Sequence, residues 1–103
     1  NKKQIDGSTD DVLPLGDLKK KFEAFGWNVL EIMKGNDISN ILDVMTIAKS
    51  FLGKGQPICI LMHTEMGNGV DYMMGTHKWH GSAPNDEQLQ SALDQNPETL
   101  GDY

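Results

Sequence analysis

At 103 residues the chain has room for one modest hydrophobic core and at most one domain. A formal net charge of -6 argues against the broad basic face of a nucleic-acid binder, and no apolar run is long enough to span a membrane. A single cysteine rules out an internal disulfide and, with no charged-then-apolar leader, is the usage expected of a cytoplasmic protein.

The first residues, Asn1 to Thr9, read as a strand end and a turn: Gln4-Ile5 is short, and Asp6-Gly7-Ser8-Thr9 is dense in turn formers. Leu15, Leu18, Phe22 and Phe25 recur at spacings of three and four, which predicts an amphipathic helix with Asp17 at its start and Gly26 at its end. Lys19, Lys20 and Lys21 beside that stripe are expected to form a solvated face. Trp27 to Ile32 reads as a strand. Asn36, Asp37 or Ser39 then caps a second helix, with Ile38, Ile41, Leu42, Met45, Ala48 and Leu52 on its apolar side. Gly53-Lys54-Gly55-Gln56-Pro57 stops it, and Ile58 to Met62 lacks polar alternation, as suits a strand covered on both faces. Cys59 lies inside this run, where an inert thiol is expected rather than a nucleophile.

Strand, helix and strand with short connections predict a right-handed crossover and a parallel sheet, so the fold class is α/β. The segment from His63 to Pro84 reads as mostly loop, and Asp86 to Leu93 as a short helix. Open α/β sheets bind ligands at the carboxyl ends of their strands. The Asn1–Gly7 turn and the loop after Met62 both fall there.

That loop carries His63, then Gly67-Asn68-Gly69, then His77 and His80 within Gly75 to Pro84. Imidazoles presented from a loop can hold anions, move protons or bind a metal near neutral pH. Zinc needs a third or fourth ligand, and Glu65 and Asp71 stand at no recognised zinc spacing. Gly67 and Gly69 would let a backbone approach a phosphate closely, although Gly-x-Gly is also common in plain turns. No elbow motif surrounds a serine that could serve as nucleophile.

In order along the chain, four blocks resemble the thiamine-diphosphate-binding amino-terminal region of transketolases. They are Asn1 to Gly7, Lys21-Phe22-Glu23-Ala24-Phe25-Gly26-Trp27, Thr64 to Gly69, and His77 to Pro84, the last in the form typical of split bacterial enzymes. The resemblance implies part of a parallel-sheet, cofactor-binding fold with flanking helices, residues 1–103 forming the carboxyl-terminal part of that domain. It implies transfer of a two-carbon ketol unit between sugar phosphates, dependent on thiamine diphosphate and on Mg²⁺ or Ca²⁺.

Residue by residue, the resemblance makes Asn1 a metal ligand through its side-chain oxygen and Lys3 one through its backbone carbonyl, hard donors of the kind these cations prefer. Ile5 packs near the thiazolium ring, Gly67 and Gly69 lie by the cofactor, His80 is an active-site residue near diphosphate and substrate, and His77 is its companion at the substrate entrance. His63 stands where many relatives have lysine and is given no role.

The opening at Asn1 without an initiator methionine fits a piece of a longer protein. The family's Gly-Asp-Gly metal segment, its upstream histidines and its pyrimidine domain have no counterpart here. The expected partners are therefore the pyrimidine-domain half and a homodimer mate, and the chain alone is expected to be inactive. The other readings are a deoxyxylulose-phosphate synthase or 2-oxoacid dehydrogenase type of thiamine enzyme, a noncatalytic interaction module, or zinc binding by His77 and His80.

Overall fold

The computed structural model describes residues 1–97. The first elements are two short antiparallel strands, β1 (Lys3–Gln4) and β2 (Gly7–Ser8), with Lys3 opposite Ser8 and Gln4 opposite Gly7. The turn is therefore Ile5-Asp6, one step earlier than composition suggests, and Gly7-Ser8 is strand. Helix α1 (Thr9–Val12), which hydrophobic periodicity does not reveal, follows at once. Ser8 caps it, its hydroxyl oxygen accepting from the Asp11 N–H at 3.1 Å.

Helix α2 (Leu18–Ala24) begins at Asp17, whose carboxylate accepts the Lys20 N–H at 3.0 Å, and ends at Gly26, which holds φ +81°. It is shorter than the predicted stripe. Leu15 lies before it, and Phe25 is its C-cap with 82% of its surface exposed. Inside the helix Phe22 packs edge-on against Trp27, their centroids 5.6 Å apart, and so ties α2 to the strand that follows.

Strand β3 (Asn28–Ile32) pairs in parallel with β4 (Ile58–Met62), residue for residue from Asn28–Ile58 to Ile32–Met62. The crossover between them is α3 (Ile38–Ser50), and of its three candidate caps Asp37 is the one used, accepting the Asn40 N–H at 3.0 Å. The predicted parallel β–α–β unit is present. The last helix, α4 (Asp86–Gln95), runs two residues beyond the predicted end and opens on a capping box in which Asn85 and Gln88 satisfy each other's backbone N–H groups.

Burial departs from expectation. Only Val29, Ile32 and Ala48 are buried apolar residues, so the core is the contact of β3 with one strip of α3. Ile41, Val44 and Ala48 turn towards the sheet, whereas Ile38, Leu42, Met45 and Leu52 of the predicted apolar side are exposed. Nor is β4 covered on both faces: Ile58 to Leu61 are half-buried and Met62 is exposed. The radius of gyration is 17.3 Å, against about 13 Å for a compact domain of this length. A two-stranded sheet has too little area to bury every apolar face that the sequence provides.

Candidate functional site at the strand carboxyl ends

The carboxyl ends of β3 and β4 are locked by a backbone crossing. His63, directly after β4, donates its N–H to the Ile32 carbonyl at 2.9 Å, and its own carbonyl accepts the Gly35 N–H at 2.9 Å. Gly35 is buried there, and a Cβ on it would lie 2.7 Å from the His63 carbonyl oxygen. Glycine is needed because two main chains pass at that distance.

Beside this crossing a cleft of about 600 Å³ opens between the amino-terminal hairpin, the approach to α2 and the strand ends. Leu15, Leu18, Leu61 and Met62 supply its apolar wall, and Asn1, Lys2, Lys3, Lys19, Glu31 and His63 its polar one. Glu31 is the hub: its carboxylate lies 3.2 Å from Lys19 Nζ and 3.2 Å from His63 Nε2. Those two partners, His63 first, hold its carboxyl below the ordinary carboxylate value. Lys19 is thus no simple solvated residue, since it faces the cleft. Lys20 pairs with Asp17 at 3.0 Å, and Lys21 Nζ donates to the Leu15 carbonyl. Among the described residues neither Lys2 nor Lys3 pairs with a carboxylate within 4.0 Å.

Asn1 and Lys3 both line the cleft and are linked, the Lys3 N–H donating to Asn1 Oδ1 at 3.0 Å. Lys2 between them sits in the left-handed region at φ +58°, where non-glycine residues are uncommon. The Asn1 oxygen keeps a free lone pair, so the turn offers hard oxygen donors without a carboxylate.

The remaining predicted residues lie elsewhere. Ile5 is exposed at the tip of the hairpin and does not line the cleft. Gly67 and Gly69 adopt φ +74° and +98°, and the room that their missing side chains leave is taken up by Met73 and by the Asn96 amide. His77 and His80 bracket a 3-10 turn, Lys78–His80, closed by the His80 N–H donating to the His77 carbonyl at 3.0 Å. The histidine loop folds back on the strand ends. Asn36 Oδ1 accepts the Glu65 N–H at 2.7 Å, and Glu65 Oε1 accepts the Gly75 N–H at 2.9 Å. Among the described residues no three His, Cys, Asp or Glu side chains converge on a point, so His77 and His80 find no third metal ligand there.

Sequence reasoning left out Glu31, Lys19, His63 and Gly35. A signal existed for two of them. Glu31 and His63 occupy the last polar position of one strand and the first position after the next, and a parallel pairing sets these side by side. An apolar wall, unpaired ammonium groups and amide oxygens in one cleft suit a ligand with a ring at one end and an anion at the other.

Residues 1–98 match the family model described as transketolase, thiamine diphosphate binding domain. The chain belongs to the transketolase family. It is 37% identical over 93 residues to an apulose-4-phosphate transketolase subunit of Phocaeicola vulgatus, covering 90% of this chain and 32% of that one. The corresponding protein of Actinobacillus succinogenes is 35% identical over 95 residues, 92% of this chain and 33% of its own. Transketolase 1 of Saccharomyces cerevisiae is 37% identical over 102 residues, which cover 95% of this chain but 14% of the yeast protein. The chain therefore spans about a third of the length of these two bacterial relatives. The β3–α3–β4 unit is the transketolase cofactor-domain architecture expected from the resemblance, and the bacterial relatives are subunits of split enzymes, which implies a second, complementary polypeptide. None of the described helices is long and apolar enough to cross a membrane.

Proposed function

We propose that this chain supplies one half of a transketolase active site, in an enzyme that moves a two-carbon ketol unit from a ketose phosphate to an aldose phosphate. The observation that carries the reading is the cleft at the strand carboxyl ends, in a chain of the transketolase family. The cleft fits thiamine diphosphate in chemistry: Leu15, Leu18, Leu61 and Met62 suit an apolar ring system, and the free ammonium groups of Lys2 and Lys3 suit a diphosphate. When bound, that cofactor supplies the carbanion stabilisation, and the protein supplies binding, orientation and electrostatics.

In this reading Asn1, through its amide oxygen, and Lys3, through its carbonyl, hold Mg²⁺ or Ca²⁺, hard cations that bridge a diphosphate to protein oxygens. Two neutral ligands leave most of the coordination shell to the diphosphate, water and residues of a partner. Ile5, at the exposed tip of the hairpin, meets the thiazolium ring once the partner half covers it. Gly67 and Gly69 shape the loop beside the cofactor. His80 donates a hydrogen bond to the diphosphate or substrate and moves a proton, and His77 receives the sugar phosphate at the entrance. The partner is the pyrimidine-domain half, and the complete enzyme is a homodimer of such pairs. The large exposed apolar surface of α3 supports an assembled state.

The test is reconstitution of the chain with the parts that complete a transketolase, followed by thiamine-diphosphate-dependent ketol transfer. Asn1→Ala should weaken activation by Mg²⁺, and His80→Ala should lower turnover by about 10²-fold or more, the usual contribution of a positioned acid–base group. Unchanged activity in both variants would sink the site assignment. Activity with pyruvate in place of a ketose donor would move the chain to the deoxyxylulose-phosphate synthase or 2-oxoacid dehydrogenase type.

A further inference from the structure

A histidine turn on a glycine-flanked surface loop has no fixed place unless something holds it, because ordering each residue costs about 1–2 kcal/mol of backbone entropy. Gly75 and Gly81 flank the turn, and Gly75 stands at φ +72°. Between the two histidines, half-buried Trp79 turns inward. Its indole Nε1–H donates to the Tyr72 carbonyl at 3.0 Å, and its ring meets the Tyr72 ring edge-on at 5.1 Å. Tyr72 in turn donates its hydroxyl to the Gln88 carbonyl of α4 at 2.7 Å.

The segment bearing Tyr72 is itself clamped to the end of α4. Gln95 accepts the Asp71 N–H at 2.8 Å and donates back to the Asp71 carboxylate at 2.9 Å, while Asn96 donates to the Gly69 carbonyl at 3.0 Å. One path of side chains therefore runs from α4 through Tyr72 and Trp79 into the turn that carries His77 and His80. These residues lie outside the cleft and touch nothing in it.

We propose that Tyr72 and Trp79 are positioning residues for His77 and His80, with α4 as the platform to which they fasten the histidine turn. The proposal rests on the reading that these histidines act on the cofactor or substrate. It adds that their placement is set by the two aromatic residues and α4, not by the sheet. An edge-to-face aromatic pair contributes beyond its buried area, and each buried polar tip requires a partner. Substituting only the tips separates the hydrogen bonds from the packing.

The experiment compares the chain with Trp79→Phe, which keeps a ring but loses the indole donor, with Tyr72→Phe, which loses the hydroxyl, and with Trp79→Ala. Two measurements are made on each. Amide hydrogen exchange is followed at His80, whose N–H closes the turn, with the α3 amides as internal reference. Inorganic pyrophosphate, a probe for the diphosphate, is titrated against the His77 and His80 ring resonances.

His80 exchange should accelerate about fivefold in each Phe variant, as loss of one hydrogen bond predicts, and more in Trp79→Ala, with α3 exchange constant. The pyrophosphate response of His80 should weaken in the same order. Unchanged His80 exchange in all three variants overturns the proposal. So does acceleration at His80 and α3 by one common factor, which marks a general loss of stability. Absence of any pyrophosphate response in the unsubstituted chain, with the local acceleration present, overturns the functional reading of the histidines and leaves the role of Tyr72 and Trp79 in holding the turn standing.

Discussion

Gly35→Ala puts the geometry of the strand ends to its sharpest test. Gly35 does not adopt a positive φ, so the substitution brings no left-handed strain and its cost is steric. The new methyl group would lie 2.7 Å from the His63 carbonyl oxygen, 2.8 Å from its carbonyl carbon and 3.0 Å from its nitrogen, all backbone atoms that cannot rotate away. Relief requires the segment after β3 to part from the end of β4, stretching the Gly35–His63 and His63–Ile32 hydrogen bonds, each 2.9 Å long. Overpacking of this kind costs about 1–3 kcal/mol and each lost hydrogen bond about 1 kcal/mol, so a total of about 2–4 kcal/mol is expected. Urea unfolding followed by Trp27 fluorescence would show it as a midpoint shift of about 2 M at a slope of about 1.5 kcal/mol/M. With three buried apolar side chains to hold the chain together, loss of any folded baseline is the same outcome. Gly53→Ala is the control: it has φ +75° with nothing within 4 Å, so conformation alone should cost about 1–2 kcal/mol. If Gly35→Ala costs no more than Gly53→Ala, the close approach of the two main chains is wrong.

Three other outcomes follow from the same geometry. The carboxyl of Glu31 is lowered from its ordinary value of 4.5 by His63 and then Lys19, so its stabilisation is full above 4.5 and is lost as pH falls through the lowered value. Glu31→Gln should flatten that acid limb in unfolding curves recorded from about pH 3 to 6, and an unaltered limb would remove Glu31 from the network. Asn85→Ala removes the capping box and should destabilise α4 by about 1 kcal/mol, seen as faster amide exchange in its first turn. Gly67→Ala meets Met73 Cβ at 2.6 Å from a backbone at φ +74° and should cost about 2 kcal/mol or more by urea unfolding even without a ligand, reporting on loop packing before it reports on phosphate.

The secondary structure was largely legible because its signals are local. Asp37 and Asn85 cap helices through their own side chains, Gly26 ends one through its φ, and the unbroken run Ile58 to Met62 has the pattern of a parallel strand. Where a helix is a single turn, as in Thr9–Val12, no period can establish itself, and α1 went unseen. The candidate site was half legible. Asn1 and Lys3 line the cleft as the family resemblance suggests, whereas Glu31 and Lys19, read as strand and surface, face it as well.

By itself, then, the sequence determined the family, the order of the elements and the side of the sheet on which a ligand would lie, since each depends on motif, periodicity or chain direction. Only the tertiary structure decided which polar groups meet. Glu31 and His63 are 32 positions apart and become neighbours through the parallel register of β3 and β4. Trp79 faces Tyr72, and hence α4, because the loop folds back on itself. Burial was decided at the same level: the apolar stripe of α3 predicts a covered face, but coverage depends on how much sheet lies beneath it, and two strands reach only Ile41, Val44 and Ala48.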